Sequence, residues 1–245
     1  MPTTKRPTGP AKRTTKPSRP AAKKTSSGIN TKIAIGAAGV ILFVITAIAV
    51  FARTDSPATQ SPTTGAPAAS MVREDSHRLD VAADGKVTVV EFLDFECESC
   101  GAAYPGVEQL RKDYAGKITY VVRYFPLPGH RNSGTAAAAA QAAANQGKFE
   151  DMYHKLFETQ STWGESQDDK SAVFAGFARE LGLDMARFEA DVASEQTKAR
   201  VEADRTDGVA AGVRGTPTFF INGQQFQGQP SYDGLKAAVD AALAG

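Results

Sequence analysis

The chain has 245 residues, a formal net charge of +1 and only two cysteines. Two cysteines exclude a disulfide-stapled miniprotein and a four-cysteine zinc ribbon, while 42% hydrophobic residues suffice for a real core. The +1 hides a division: residues 1–32 carry nine Lys/Arg and no acid, a charge of +9, and the rest of the chain carries −8.

Residues 1–28 are rich in Pro, Thr, Ser, Ala and Lys/Arg, with no aromatic side chain. Such a stretch buries too little apolar surface to offset the entropy of ordering it, so the basic tail, residues 1–32, reads as disordered. Residues 33–52, IAIGAAGVILFVITAIAVFA, hold no charge. As a helix, 20 residues span about 30 Å, the thickness of a bilayer core. Lys32 and Arg53 bracket the run, and the positive-inside rule puts the tail in the cytoplasm and the remainder outside. This predicts a single-pass cell-membrane protein with its folded part extracytoplasmic. A cleaved signal peptide competes, with Ala47-Ile48-Ala49 as an A-x-A site, but the apolar run exceeds the usual length of about 7–15 residues. Both readings export the C-terminal part of the chain. Phosphate binding by the tail is the weaker alternative, and no nucleic-acid partner is expected. Residues 53–73 form a flexible Pro/Thr/Ala tether, and the domain occupies 74–245.

Within the domain, 87–95 (VTVVEFLDF) reads as a strand buried on both faces, 100–114 as a helix and 117–125 as a second strand. A strand, helix and strand in about 40 residues is a βαβ unit with parallel strands and a right-handed crossover. Helical segments come next, near 133–146, 148–160, 169–182, 184–193 and 195–211. Strand signals return at 218–221, and Asn222-Gly223 predicts a hairpin returning through 225–227. A last helix covers about 232–243, capped by Ser231. The fold expected is α/β, a mixed sheet with a helical insertion at about 131–195.

Cys97-Glu98-Ser99-Cys100 is the cysteine pair. As a zinc site it supplies half the ligands, and His77, His130 and His154 show no ligand spacing. As a structural staple it closes a very short loop, worth roughly 2 kcal/mol. The redox reading fits its place at a strand-to-helix junction. There the helix N-terminus stabilises a Cys97 thiolate, and Cys100 lies one turn on. Cys97 is then the exposed attacking sulfur and Cys100 the buried resolving one. Gly215-Thr216-Pro217 sits just before a buried strand, where a proline is tolerated and a cis bond is invited; a plain loop is the alternative.

The pairing of FLDFECESC with GTPTFFING across a helical block resembles the DsbA-like thiol–disulfide oxidoreductases of the thioredoxin fold, over about 74–244. The resemblance implies that Thr216-Pro217 is a cis-proline loop whose Thr216 backbone pairs with an extended substrate segment, with Glu98 and Ser99 beside it. It implies that Glu91 is a buried acid that moves a proton to the buried cysteine; read from the sequence alone, Glu91 is also an edge-strand surface charge. FPLPGH resembles the family as well, and His130 is assigned no catalytic role. No cofactor is implied beyond the redox-active Cys97–Cys100 disulfide. Exported proteins with free thiols are the implied substrates, oxidised by the pair, which is then reoxidised at a membrane partner. A reductase or isomerase of the same compartment is the alternative, and a non-catalytic peptide-binding module the third reading. The sequence departs from the family at Glu98-Ser99, where many members carry Pro-His. A carboxylate there opposes a neighbouring thiolate, so Cys97 is expected to be less acidic, and the pair less strongly oxidising, than in a Pro-His site.

Overall fold

The computed structural model describes residues 71–245. The basic tail, the apolar span and all of the tether before residue 71 lie outside the described residues. Among those described, no helix is long and apolar enough to cross a membrane.

The elements are β1 (His77–Asp80), β2 (Thr88–Leu93), α1 (Glu98–Asp113), β3 (Thr119–Tyr124), α2 (Ser133–Ala144), α3 (Phe149–Glu158), α4 (Gln160–Trp163), α5 (Ser171–Glu180), α6 (Met185–Ala193), α7 (Glu195–Ala210), β4 (Thr218–Ile221), β5 (Gln224–Gln225) and α8 (Tyr232–Ala244). The sheet runs β1-β3-β2-β4-β5. β2 and β3 are parallel, and the other three pairings are antiparallel. The mixed α/β sheet is therefore the one the sequence predicts. Asn222 and Gly223 both take positive φ, 49° and 80°, as a type I′ hairpin turn requires.

Three features depart from the sequence expectations. The edge strand β1 has no counterpart among them, because HRLD is too short and too polar to show alternation. The single turn α4 is not distinguished inside the helical block. Met71, which falls within the bounds given to the tether, is 1% exposed and packs with Val90, Phe92, Val121, Phe125, Val213 and Phe220, so it belongs to the domain.

Alternation along the strands sorts side chains onto two faces. Val89 and Leu93 of β2, Tyr120, Val122 and Tyr124 of β3, and Phe219 and Ile221 of β4 face the core shared with α1, α8 and the helical block. The intervening residues face the smaller cluster around Met71, where α7 comes close. A Cβ on Gly208 would lie 2.7 Å from Phe125 Cδ2 and 2.9 Å from Phe92 Cδ1, so glycine is what lets this helix approach the sheet. Arg123 of β3 points to the same side and is fully buried. It donates to Asp204 at 2.5 Å and Asp207 at 2.6 Å, both on α7, and to the Met71 carbonyl.

Candidate active site

Both cysteines lie at the C-terminal edge of the central strand β2. Cys97 is the N-cap of α1, so the unpaired amides of the first turn converge on its sulfur. Both are free thiols. Against expectation Cys97 is not openly exposed: it is 7% exposed and Cys100 1%. What covers it is the Thr216-Pro217 loop, whose peptide bond is cis. The Cys97 thiol donates to the Thr216 carbonyl at 3.4 Å. As a thiolate it accepts from the Thr216 hydroxyl, a buried group with no other partner.

The two thiols are pushed in opposite directions. Cys97 falls from 9.0 to about 5, first because the Cys100 thiol donates to it, then because the Thr216 hydroxyl and the Cys100 and Ser99 amides do so, against the opposing cost of burial. Cys100 rises well above 9.0, mainly through burial, with its hydrogen bond to Cys97 and the charge of Glu91 adding to it. The arrangement gives one ionised nucleophile and one protonated partner a turn away, the asymmetry a thiol exchanger needs. Glu98 and Ser99 are exposed, and Glu98 lines a cavity of about 330 Å³ with Glu96, Gln160 and Glu165. The Cys97 thiol reaches about 5 even with the Glu98 carboxylate next in the chain.

Glu91 is 2% exposed on the central strand, which removes the surface-charge alternative. Its Oε2 accepts from the Tyr120 hydroxyl at 2.7 Å. Burial pushes it up from 4.5 to about 7. Between those two pH values the folded chain holds a proton that the unfolded chain has released, so stability falls as pH rises through that interval. The gap corresponds to about 3 kcal/mol. Glu91→Gln is expected to flatten this part of the curve, read by urea unfolding at pH 4.5 and pH 8; an undiminished slope would contradict the assignment.

Several residues of the site escape a reading of the sequence. Asp94 accepts the Cys97 amide on its carbonyl at 3.1 Å and holds His130 Nδ1 on its carboxylate at 2.7 Å. Glu96 is buried and accepts the Asn132 amide at 2.6 Å, at the N-terminus of α2. Gln160 of α4 donates to the Phe95 and Cys97 carbonyls at 2.7 and 2.9 Å, bracing the cysteine loop from the helical block. Gly101 leaves it room, since a Cβ there would lie 2.0 Å from Gln160 Oε1. Acids just before a cysteine carry no local signal, and Gln160 is remote from the pair in sequence. Among the described residues no group of His, Cys, Asp and Glu is arranged to hold a metal.

Known proteins resemble this architecture. The family model described as Thioredoxin matches residues 82–241. A thioredoxin-like oxidoreductase from Silicibacter pomeroyi is 30% identical with a TM-score of 0.60, over 71% of this chain and 95% of that one. The thiol-disulfide exchange protein α-DsbA2 from Wolbachia pipientis is 25% identical with a TM-score of 0.59, over 70% and 89%. Among curated proteins, a protein named Na(+)/H(+) antiporter NhaA 1 from Salinispora arenicola is 40% identical over 163 residues, which are 66% of this chain and 24% of that protein. The chain thus spans about a quarter of the length of the curated relatives it matches, and the match covers the thioredoxin-like part only. The chain belongs to the thioredoxin family.

Proposed function

We propose that the protein is a membrane-anchored oxidase that introduces disulfides into exported proteins through Cys97 and Cys100. The observation that carries this reading is the Cys97 thiol at about 5 beneath the Thr216 carbonyl. A thiolate stabilised that strongly favours the reduced form of the pair, and a stable reduced form makes the disulfide a strong oxidant.

A substrate thiolate attacks Cys97 Sγ and breaks the Cys97–Cys100 bond. Cys100 leaves and takes up a proton, which the buried Glu91 carboxyl supplies. A second substrate thiolate then attacks the substrate sulfur of the mixed disulfide and releases Cys97 as a thiolate. The substrate loses two electrons and the pair gains them. Thr216 and Pro217 hold the substrate backbone against Cys97, with Glu98 and Ser99 at the rim. No cofactor beyond the redox-active disulfide takes part. Reoxidation needs a membrane redox partner, because such compartments are kept oxidising kinetically. The charge-free residues 33–52 and the +9 tail support an anchor in the bilayer, and the tether keeps the domain within reach of that partner. The antiporter name belongs to the relatives that bear it.

A Cys100→Ser chain expressed in cells tests this. Covalent adducts with exported proteins should accumulate, linked through Cys97 and lost on reduction. Binding of partners without any adduct would favour a peptide-binding module instead.

A further inference from the structure

The dipeptide between the cysteines brings no positive charge to Cys97. A cation reaches the site from elsewhere in the chain. His130 sits in the loop after β3, with its ring partly exposed and its amide bonded to the Leu127 carbonyl at 3.1 Å. Its Nδ1 lies 2.7 Å from the Asp94 carboxylate. That carboxylate is fully buried and is itself fixed by the Glu96 and Leu127 amides at 2.9 and 3.0 Å. The other ring nitrogen lies 3.8 Å from Glu165, a non-glycine residue at φ 55°. The Asp94 carbonyl also accepts the Cys97 amide at 3.1 Å, so one residue bridges the ring and the attacking cysteine.

We propose that His130 is a positioning residue for the redox pair: pinned by the Asp94 that also holds the Cys97 amide, its imidazolium supplies the positive charge that Glu98-Ser99 lacks and steadies the Cys97 thiolate. This rests on the reading of Cys97 as the attacking thiol.

The charged groups facing the ring agree with it. They are Asp94 from the end of β2, Cys97 from the start of α1 and Glu165 from the loop after α4, with Arg131 next on its own loop. Although burial opposes its charge, the hydrogen bond and charge of Asp94, then the charges of Cys97 and Glu165, raise His130 above 6.5. Cys97 ionises near 5, so thiolate and imidazolium coexist from about pH 5 up to the raised His130 value. Above that value the charge is lost and the thiolate loses its support. In the oxidised pair Cys97 carries no charge, so His130 must hold its proton less tightly there. Coupling of this kind is reciprocal: reduction tightens the His130 proton by the factor by which the imidazolium favours the thiolate. At the effective dielectric of a partly buried site that factor is about three- to tenfold.

The first test uses the full wild-type chain with labelled histidine, which has only His77, His130 and His154 to resolve. The His130 titration midpoint should be higher in the reduced than in the oxidised protein, by the same three- to tenfold in proton affinity. Equal midpoints would overturn the proposal. The second uses thiolate absorbance: His130→Gln should weaken Cys97 ionisation about three- to tenfold, and His130→Lys should restore it. A Cys97 titration unchanged in His130→Gln would also overturn it. If His130→Gln does not fold, the wild-type comparison decides alone. An active oxidase with equal His130 midpoints sinks only this proposal, whereas a coupled His130 in a chain that exchanges no disulfides sinks only the functional reading.

Discussion

Cys97→Ala is expected to lower oxidation of a reduced dithiol peptide by more than about a thousandfold, because it removes the sulfur that both accepts the substrate and leaves as the stabilised thiolate. Cys100→Ala should behave differently. It retains an acidic, reactive Cys97 but loses catalytic turnover, since no second sulfur in the chain can complete a disulfide. The pH dependence separates the two thiols further. Alkylation of Cys97 in the reduced wild type should keep its full rate at pH 6.5, where an ordinary thiol of pKa about 8.5 is only about 1% ionised. Cys100 should stay unreacted at that pH, because burial raises it. Equal loss of alkylation in both single variants would contradict this division of labour.

The second large effect concerns stability. Asp204 is fully buried, accepts hydrogen bonds from Arg123 and from the Tyr124 amide at 3.0 Å, and forms an ion pair with Arg200 at 2.5 Å. Asp204→Ala removes the shared acceptor and leaves two guanidinium groups and a strand amide short of a partner. Breaking a buried pair in this one-sided way costs about 3–5 kcal/mol, which for a domain of this size lowers Tm by about 10 °C or more. Lys198→Ala is the contrast. Its partner Glu195 is 89% exposed, so the loss should stay within about 0.5 kcal/mol. Thermal unfolding of the two variants beside the wild type checks both, and similar Tm losses would contradict the account.

Distance along the chain decides how much of the fold and site is legible in the sequence. β2, α1 and β3 show in local patterns of apolar residues, and the hairpin shows in Asn222-Gly223. The Cys97–Cys100 pair and Thr216-Pro217 are each local motifs, and the family resemblance joins them without the sheet. What stays hidden depends on contacts between remote segments. Asp94 and His130 are 36 residues apart, and neither has a spacing that announces the other. Asp204 reads as one more charge on a polar helix; only the sheet shows that it meets Arg123. Gln160 belongs to a single turn that no periodicity marks. Even the burial of Cys97 comes from the Thr216 loop, 119 residues away, which is why a helix-start cysteine reads as exposed.

The central claim is the direction of exchange, and the reduction potential of the Cys97–Cys100 pair measures it. Equilibrating the full chain with defined ratios of reduced and oxidised glutathione should give an oxidising potential, nearer the value of about −120 mV of DsbA than that of thioredoxin. A value near the roughly −270 mV of thioredoxin would contradict the oxidase reading and make the protein a reductase.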